Sequence, residues 1–247
     1  MIEFATIFLF AILQSIFGIG ILFFGTPTLL LLGFPFAETL SVLLPASLAV
    51  SAFPVMGAGV PKCNQVCIYA LWCLLPLAIA LLSGLALRWE VKLEAVVASI
   101  LLIYVVIRLS PRMETVLCGT VRKLPQVWLV AIGTVHGLSN LGGGLLAIFA
   151  ASRFEEKREV RGNIAFCYMC FAIIQLATLA CLRPDVMQFR QLGYAGLAIV
   201  VFVIIDRLVF GSIVNPVFDK ILTMVIGCYS ALIILKLSGV LQAPAAT

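Results

Sequence analysis

The stretch "GTVHGLSNLGGGLLAIF" (133–149) decides how this chain is read. It lies inside an apolar run, 126–151, yet carries five glycines, an asparagine and the only histidine of the chain. Glycine is a poor helix interior residue and a good turn residue, so this run is expected to break rather than continue as one helix. The surroundings make that break informative. Of the 247 residues, 63% are hydrophobic and 11% charged, with a mean hydropathy of +1.20. Soluble domains carry roughly 25% charged residues. Between Phe4 and Pro61 the only charged side chain is Glu38. Apolar segments long enough to cross a roughly 30 Å hydrocarbon core recur along the chain, without the short alternating segments of a barrel. The fold class read from this is all-α, a polytopic membrane protein in a lipid bilayer.

Apolar segments fall at 3–33, 38–59, 66–87, 91–109, 126–151, 162–182, 192–210 and 219–238. The longest polar connection is central, so the whole chain 1–247 is read as one transmembrane domain with a first repeat 1–109, a connecting loop 110–125 and a second repeat 126–238. At an offset of 122, Gln14 falls on His136, Gly18 on Asn140, Gly20 on Gly142 and Ser41 on Asn163. Glycine-interrupted segments at corresponding positions of two halves point to a transporter binding site.

Each half opens with an unusual segment. Residues 3–32 as one straight helix would be about 45 Å long, longer than the hydrocarbon core, with Gly18 and Gly20 near the middle. The segment either crosses once as a broken helix or turns back as a re-entrant hairpin. Charge favours the hairpin. With both opening segments crossing, the 16 Lys and Arg divide evenly and specify no orientation. With both as hairpins, Arg88, Lys92, Arg183, Arg190 and Lys236 lie on one side, and the other eleven, including Lys62, Arg108, Arg122, Arg153, Arg158 and Arg207, on the opposite side. That is a usable positive-inside bias. It leaves three spans after each hairpin and inverts the two halves in the membrane. The net charge of +5 thus belongs to loops at an anionic membrane face, and nucleic acid is not an expected partner.

Irregular backbone at membrane depth survives only where protein or a water-filled cavity satisfies it. Gly137, Gly142, Gly143 and Gly144 are read as letting the second segment turn. A half-helix beginning there would aim unpaired N–H groups and a positive dipole end at a small anion. Ser139 and Asn140 add neutral donors, and His136 sits one turn earlier. In the first half, "QSIFGIGILFFGTP" (14–27) offers Gln14, Ser15 and Thr26 beside Gly18 and Gly20. Two such tips meeting at the midplane would enclose a substrate pocket. The competing reading is that the glycines serve close helix packing alone.

The longer stretches "FGIGILFFGTPTLLLLGFPFAETLS" (17–41), "HGLSNLGGG" (136–144) and "REVRGN" (158–163) resemble the paired signatures of the sulfite exporter TauE/SafE family. Gly18 and Pro27 keep that family's nine-residue spacing, Gly33, Pro35, Ala37 and Ser41 follow in its order, and Arg161 falls on its arginine. The chain departs from the pattern at Gly-Ile-Gly, where the family has three glycines, and at Asn140, where its second repeat often has glycine. The resemblance covers nearly the whole chain. It implies a multi-pass protein of the bacterial plasma membrane that moves sulfite, sulfonates or sulfoacetate, coupled to protons.

His136, with an ordinary pKa of about 6.5, is the candidate proton carrier, and Arg161, at the start of a span, a candidate anion ligand. Glu38 reads as an interfacial carboxylate, and Asp206 and Arg207 as snorkelling span-end residues. The eight cysteines read as small buried hydrophobes, and neither a metal nor a cofactor is expected. Ser139 and His136 lie on one segment, unlike an intramembrane serine protease, and no HExxH or nucleophile elbow is present. The expectation is therefore a secondary anion transporter rather than an enzyme, with a passive anion channel as the alternative. Homo-oligomerisation is compatible with the composition.

Overall fold

The computed structural model describes residues 1–58, 63–86 and 93–209, with isolated positions at 224, 227, 228, 231, 232 and 235. The last span of the second repeat, at 219–238, therefore lies essentially outside the described residues, as do Lys62, Arg88, Lys92, Lys220 and Lys236. The described chain is helical throughout. Four of its helices are long and apolar enough to cross a membrane: Phe36–Gly57, Gln65–Leu85, Arg158–Leu182 and Arg190–Leu208. This is the architecture of an integral membrane protein.

Both opening segments are broken. Helix α1 (Ile2–Phe17) ends at Gly18, and α2 (Ile21–Leu31) starts after Gly20. Helix α3 (Phe36–Ala58) follows; α4 (Cys63–Tyr69) then runs through a π-turn at Ala70–Leu74 into α5 (Leu75–Ala86), and α6 (Leu93–Leu109) completes the first half. The connection 110–125, expected as a loop, instead carries α7 (Pro111–Lys123). Its start is built from local chemistry: the Ser110 hydroxyl accepts from the Met113 N–H and Pro111 occupies the first helical position. At its other end the Arg122 guanidinium donates to the Ser152 carbonyl. The second half is α8 (Pro125–Ser139), α9 (Gly143–Ala151), α10 (Lys157–Leu182) and α11 (Arg190–Val209).

Within each opening pair the two helices pack on one another, and the same turn makes both reversals. Gly18 takes φ 73° and donates its N–H to the Gln14 carbonyl. Asn140 takes φ 64° and donates to the His136 carbonyl. Two residues on, Gly20 lies against the Phe10 carbonyl and Gln14 backbone, and Gly142 against the Ile132 carbonyl and His136. Every position corresponds at the offset of 122. Asn140 is the only non-glycine residue at positive φ among those described, a conformation its short amide tolerates better than most side chains do.

Packing places the halves around α3 and α10, which lie against each other; α11 covers α1, and α5 covers α8. The hairpins are rooted at opposite ends of α10. Glu3 of α1 accepts from Tyr194 Oη at 2.6 Å and pairs with Arg190, both at the start of α11, just beyond the end of α10. The root of the other hairpin is held by Arg122 on Ser152, five residues before α10 begins. Between α10 and α11 a 3-10 turn, Pro184–Val186, carries the Arg183–Asp185 ion pair. Hydrogen bonds from Arg183 hold the Asp185 carboxyl below its ordinary range.

The α8–α5 contact corrects one expectation. Gly137 does not turn the chain; it and Gly133 lie in the helix with their Cα atoms against the Leu77 and Cys73 carbonyls, where any Cβ would overlap backbone. These two glycines serve close helix packing.

Candidate functional site

The hairpin tips do not meet end to end. The Gly18 turn rests against Arg161 and Ile164 of α10, whereas Asn140 reaches Gln175 on the same helix. From Arg161 to Gln175 is about 21 Å along the axis at 1.5 Å per residue. The hairpins therefore overlap side by side, and Asn140 Nδ2 donates to Thr26 Oγ1 at 2.8 Å, within α2. The candidates separate into two levels of unequal chemistry.

At the first tip the polar groups satisfy one another. Gln14 Oε1 accepts from the Ile21 N–H at 2.9 Å, capping α2, while its Nε2 donates to Ser51 Oγ at 3.3 Å. Ser15 donates to the Ala11 carbonyl. Gly18 and Gly20 provide the turn and the close approach. Gln14 takes one of the N–H groups, that of Ile21, which a half-helix N-terminus would offer an anion.

At the second tip the equivalent residue is His136, which does no such capping. Its ring is fully buried, 4.4 Å from Phe171 centroid to centroid and edge-on to Tyr168 at 5.7 Å. Neither ring nitrogen makes a well-formed hydrogen bond, although the Gln175 side chain lies beside the imidazole, and Tyr168 Oη has no partner. Tyr168, Phe171 and Gln175 recur at helical spacing on α10, forming one stripe toward α8. Leaving such atoms unpaired is costly in an apolar interior. The stripe is thus a set of unspent donors and acceptors sealed in apolar walls.

The three glycines of "LGGGL" do not supply positive φ; each clears space. A Cβ on Gly142 would lie 2.6 Å from His136 Cβ, one on Gly143 would overlap the Tyr168 hydroxyl, and one on Gly144 would meet the Tyr104 ring at 2.7 Å. Tyr104 of α6 also closes the turn, its hydroxyl donating to the Leu141 carbonyl at 2.9 Å and accepting from the Leu145 N–H at 3.1 Å. Ser139 is committed to the backbone: its hydroxyl donates to Val135 O and accepts from Leu141 N–H.

Arg161 stands apart from this cluster. It is 8% exposed, ion-paired with Asp206 of α11 and set over the Phe202 ring at 5.3 Å. Asn163, paired by offset with Ser41, accepts instead from Tyr69 Oη at 3.1 Å.

Sequence reasoning missed Tyr168, Gln175, Tyr104 and Ser51. Gln175 had a usable signal, since an amide inside an apolar span is expensive unless it has work to do. The aromatic residues had none, because tyrosine in a span is equally a packing residue. Among the described residues no group of three His, Cys, Asp or Glu is placed to hold a metal ion. No known protein family, curated protein or solved structure matches this chain.

Proposed function

We propose that the chain is a secondary transporter of a small anion, built from two inverted repeats in a plasma membrane, and that it is related to the TauE/SafE exporters it resembles. The observation that carries this reading is the asymmetry of two otherwise equivalent hairpin turns. One is chemically closed by Gln14, and the other leaves His136, Tyr168 and Gln175 with unspent polar atoms in the protein interior. Neutral imidazole N–H and phenol O–H groups in a dry site can hold a small monoanion such as bisulfite or a sulfonate without a buried cation. His136 is the group through which a proton would be coupled. Hairpins rooted at opposite ends of α10 support inversion of the two halves.

Full burial of His136, Ser139 and Asn140 favours a carrier with an occluded site over an open anion channel. The use of the Ser139 hydroxyl in backbone hydrogen bonds disfavours a Ser–His hydrolase. The test is sulfite and sulfoacetate counterflow in proteoliposomes, with and without a pH gradient. Saturable counterflow driven by the gradient, and lost in Asn140→Asp, supports the assignment. Product formation, or flux that never saturates, refutes it.

A further inference from the structure

A second polar region lies where the ends of α3, α10 and α11 come together. A cleft of ≈ 510 Å³ opens there, lined by Gly57 of α3, Arg158 and Arg161 of α10, Asp206 and Arg207 of α11, and apolar residues that include Phe53 and Phe202. Among the described residues that line it, three guanidinium groups face one carboxylate. Phe53 and Phe202 stack at 5.5 Å and form an apolar wall. Arg158 is fixed by donating to the Gly57 carbonyl at 2.7 Å. Arg207 is exposed in the last turn of α11.

The internal carboxylate is the informative part. Asp206 pairs with Arg161, but the two side chains differ in exposure, 10% for the arginine against 36% for the aspartate. The arginine is the buried member and the carboxylate sits at the mouth. A carboxylate that solvent reaches can be exchanged for another oxyanion, and guanidinium groups bind such groups through paired N–H donors. Two more arginines beside it would favour a group of higher charge than a carboxylate.

We propose that this cleft is an oxyanion site in which Asp206 holds the ligand's place: a phosphate- or sulfonate-type group binds among Arg158, Arg161 and Arg207 and displaces the Asp206 carboxylate. The site is distinct from the second hairpin tip, and its existence does not rest on transport. Its position gives it a mechanical connection. The Arg161 stem packs 3.4 Å from the Cβ position of Gly18, so a change of Arg161 partner is felt at the left-handed turn of the first hairpin. The ligand has two sources with the same chemistry, a free anion or the headgroup of an anionic phospholipid.

The experiment measures binding of radiolabelled inorganic phosphate to the purified full-length chain in lipid-free detergent micelles. Asp206→Asn removes the competitor and its like charge, so affinity should rise about tenfold, the factor that corresponds to about 1.4 kcal/mol. Arg207→Gln, an exposed change that leaves the Arg161 environment intact, should lower affinity severalfold. Gly84→Ala, in open space on α5 and away from both sites, should leave phosphate binding unchanged. Repeating the measurement in nanodiscs with and without phosphatidylglycerol separates the sources. Competition by that lipid assigns the site to a headgroup, and its absence assigns it to the free anion. An Asp206→Asn chain that binds no more tightly than the natural one, or an Arg207→Gln chain with unaltered affinity, would overturn the proposal. Loss of counterflow with the Asp206→Asn gain intact would refute transport and leave the cleft standing.

Discussion

Replacing Asn140 separates backbone geometry from hydrogen bonding at one position. The residue is at φ 64°, fully buried, and donates to Thr26 Oγ1 at 2.8 Å while accepting a long bond from Gln175 at 3.4 Å. Asn140→Gly keeps the left-handed turn and loses both bonds. Interhelical hydrogen bonds in membrane proteins average about 0.6 and reach about 1.7 kcal/mol, because the unfolded chain in a membrane also finds partners. The glycine variant should therefore be less stable by about 0.6–1.7 kcal/mol. Asn140→Ala loses the same bonds and adds left-handed strain of roughly 1–2 kcal/mol. That strain is offset by roughly 0.4–1 kcal/mol because alanine has less freedom to lose than glycine on folding. Taking the middle of both ranges, alanine should then lie about 0.8 kcal/mol below glycine. Thermal unfolding of the three chains in one detergent, followed by tryptophan fluorescence, gives the order Asn, Gly, Ala. An alanine variant as stable as the glycine one, or more so, would refute the left-handed turn and with it the equivalence to Gly18. Asn140→Asp is the functional companion, since it keeps the turn and adds a negative charge that should weaken binding of the proposed anion.

Gly137→Val should cost about 3 kcal/mol, near the top of the over-packing range, because the obstructing Leu77 carbonyl is backbone. Gly84→Ala, in open space on α5, should instead gain about 0.5–1 kcal/mol; both are read by the same melts. Ser51→Ala should destabilise by about 0.6 kcal/mol through the loss of one Gln14 bond and leave anion affinity unchanged in equilibrium binding. Tyr168→Phe removes a buried hydroxyl with no partner, so the empty protein should be as stable as before or slightly more so, while stabilisation by added anion shrinks; a loss of stability without ligand would contradict the unspent cluster. For the Arg183–Asp185 pair the folded carboxyl lies below its unfolded value. Its contribution is complete at neutral pH and is lost as the pH falls through the folded value. A pH series of melts should be flatter on the acid side in Arg183→Gln.

The break in each opening segment was legible because glycine in an apolar run has few other uses, and the offset of 122 was legible because the left-handed position and the close-approach glycine recur together. The connection 110–125 was read as a loop from its polar character, and the Ser-Pro start and Arg-Lys end that mark α7 as a helix were passed over. A helix at a membrane face can be polar and still fold. The overlap of the hairpins could not be read, because insertion depth depends on which residue of α10 each tip touches, a contact between distant segments. The same limit hid the division of labour between Gln14 and His136. Their positions match, but only the fold reveals that the amide caps the Ile21 N–H whereas the imidazole packs against Phe171 and Tyr168 without capping a helix. Gly133 and Gly137 show the reverse ambiguity, since a glycine that turns a chain and one that admits a neighbour's backbone look alike in one dimension.

The seam between α8 and α5 has a consequence for motion. With Cα atoms seated on main-chain carbonyls at Gly133 and Gly137, the only side chain this close to either glycine is the Ala80 methyl beside Gly137. Helices joined in this way cannot roll or slide past one another in small steps; they shift together as one lever. Any rocking of the second hairpin should carry α5 with it. The widened π-turn at Ala70–Leu74 moves with them, since it packs on α8 and its Cys73 carbonyl forms the first weld of the seam.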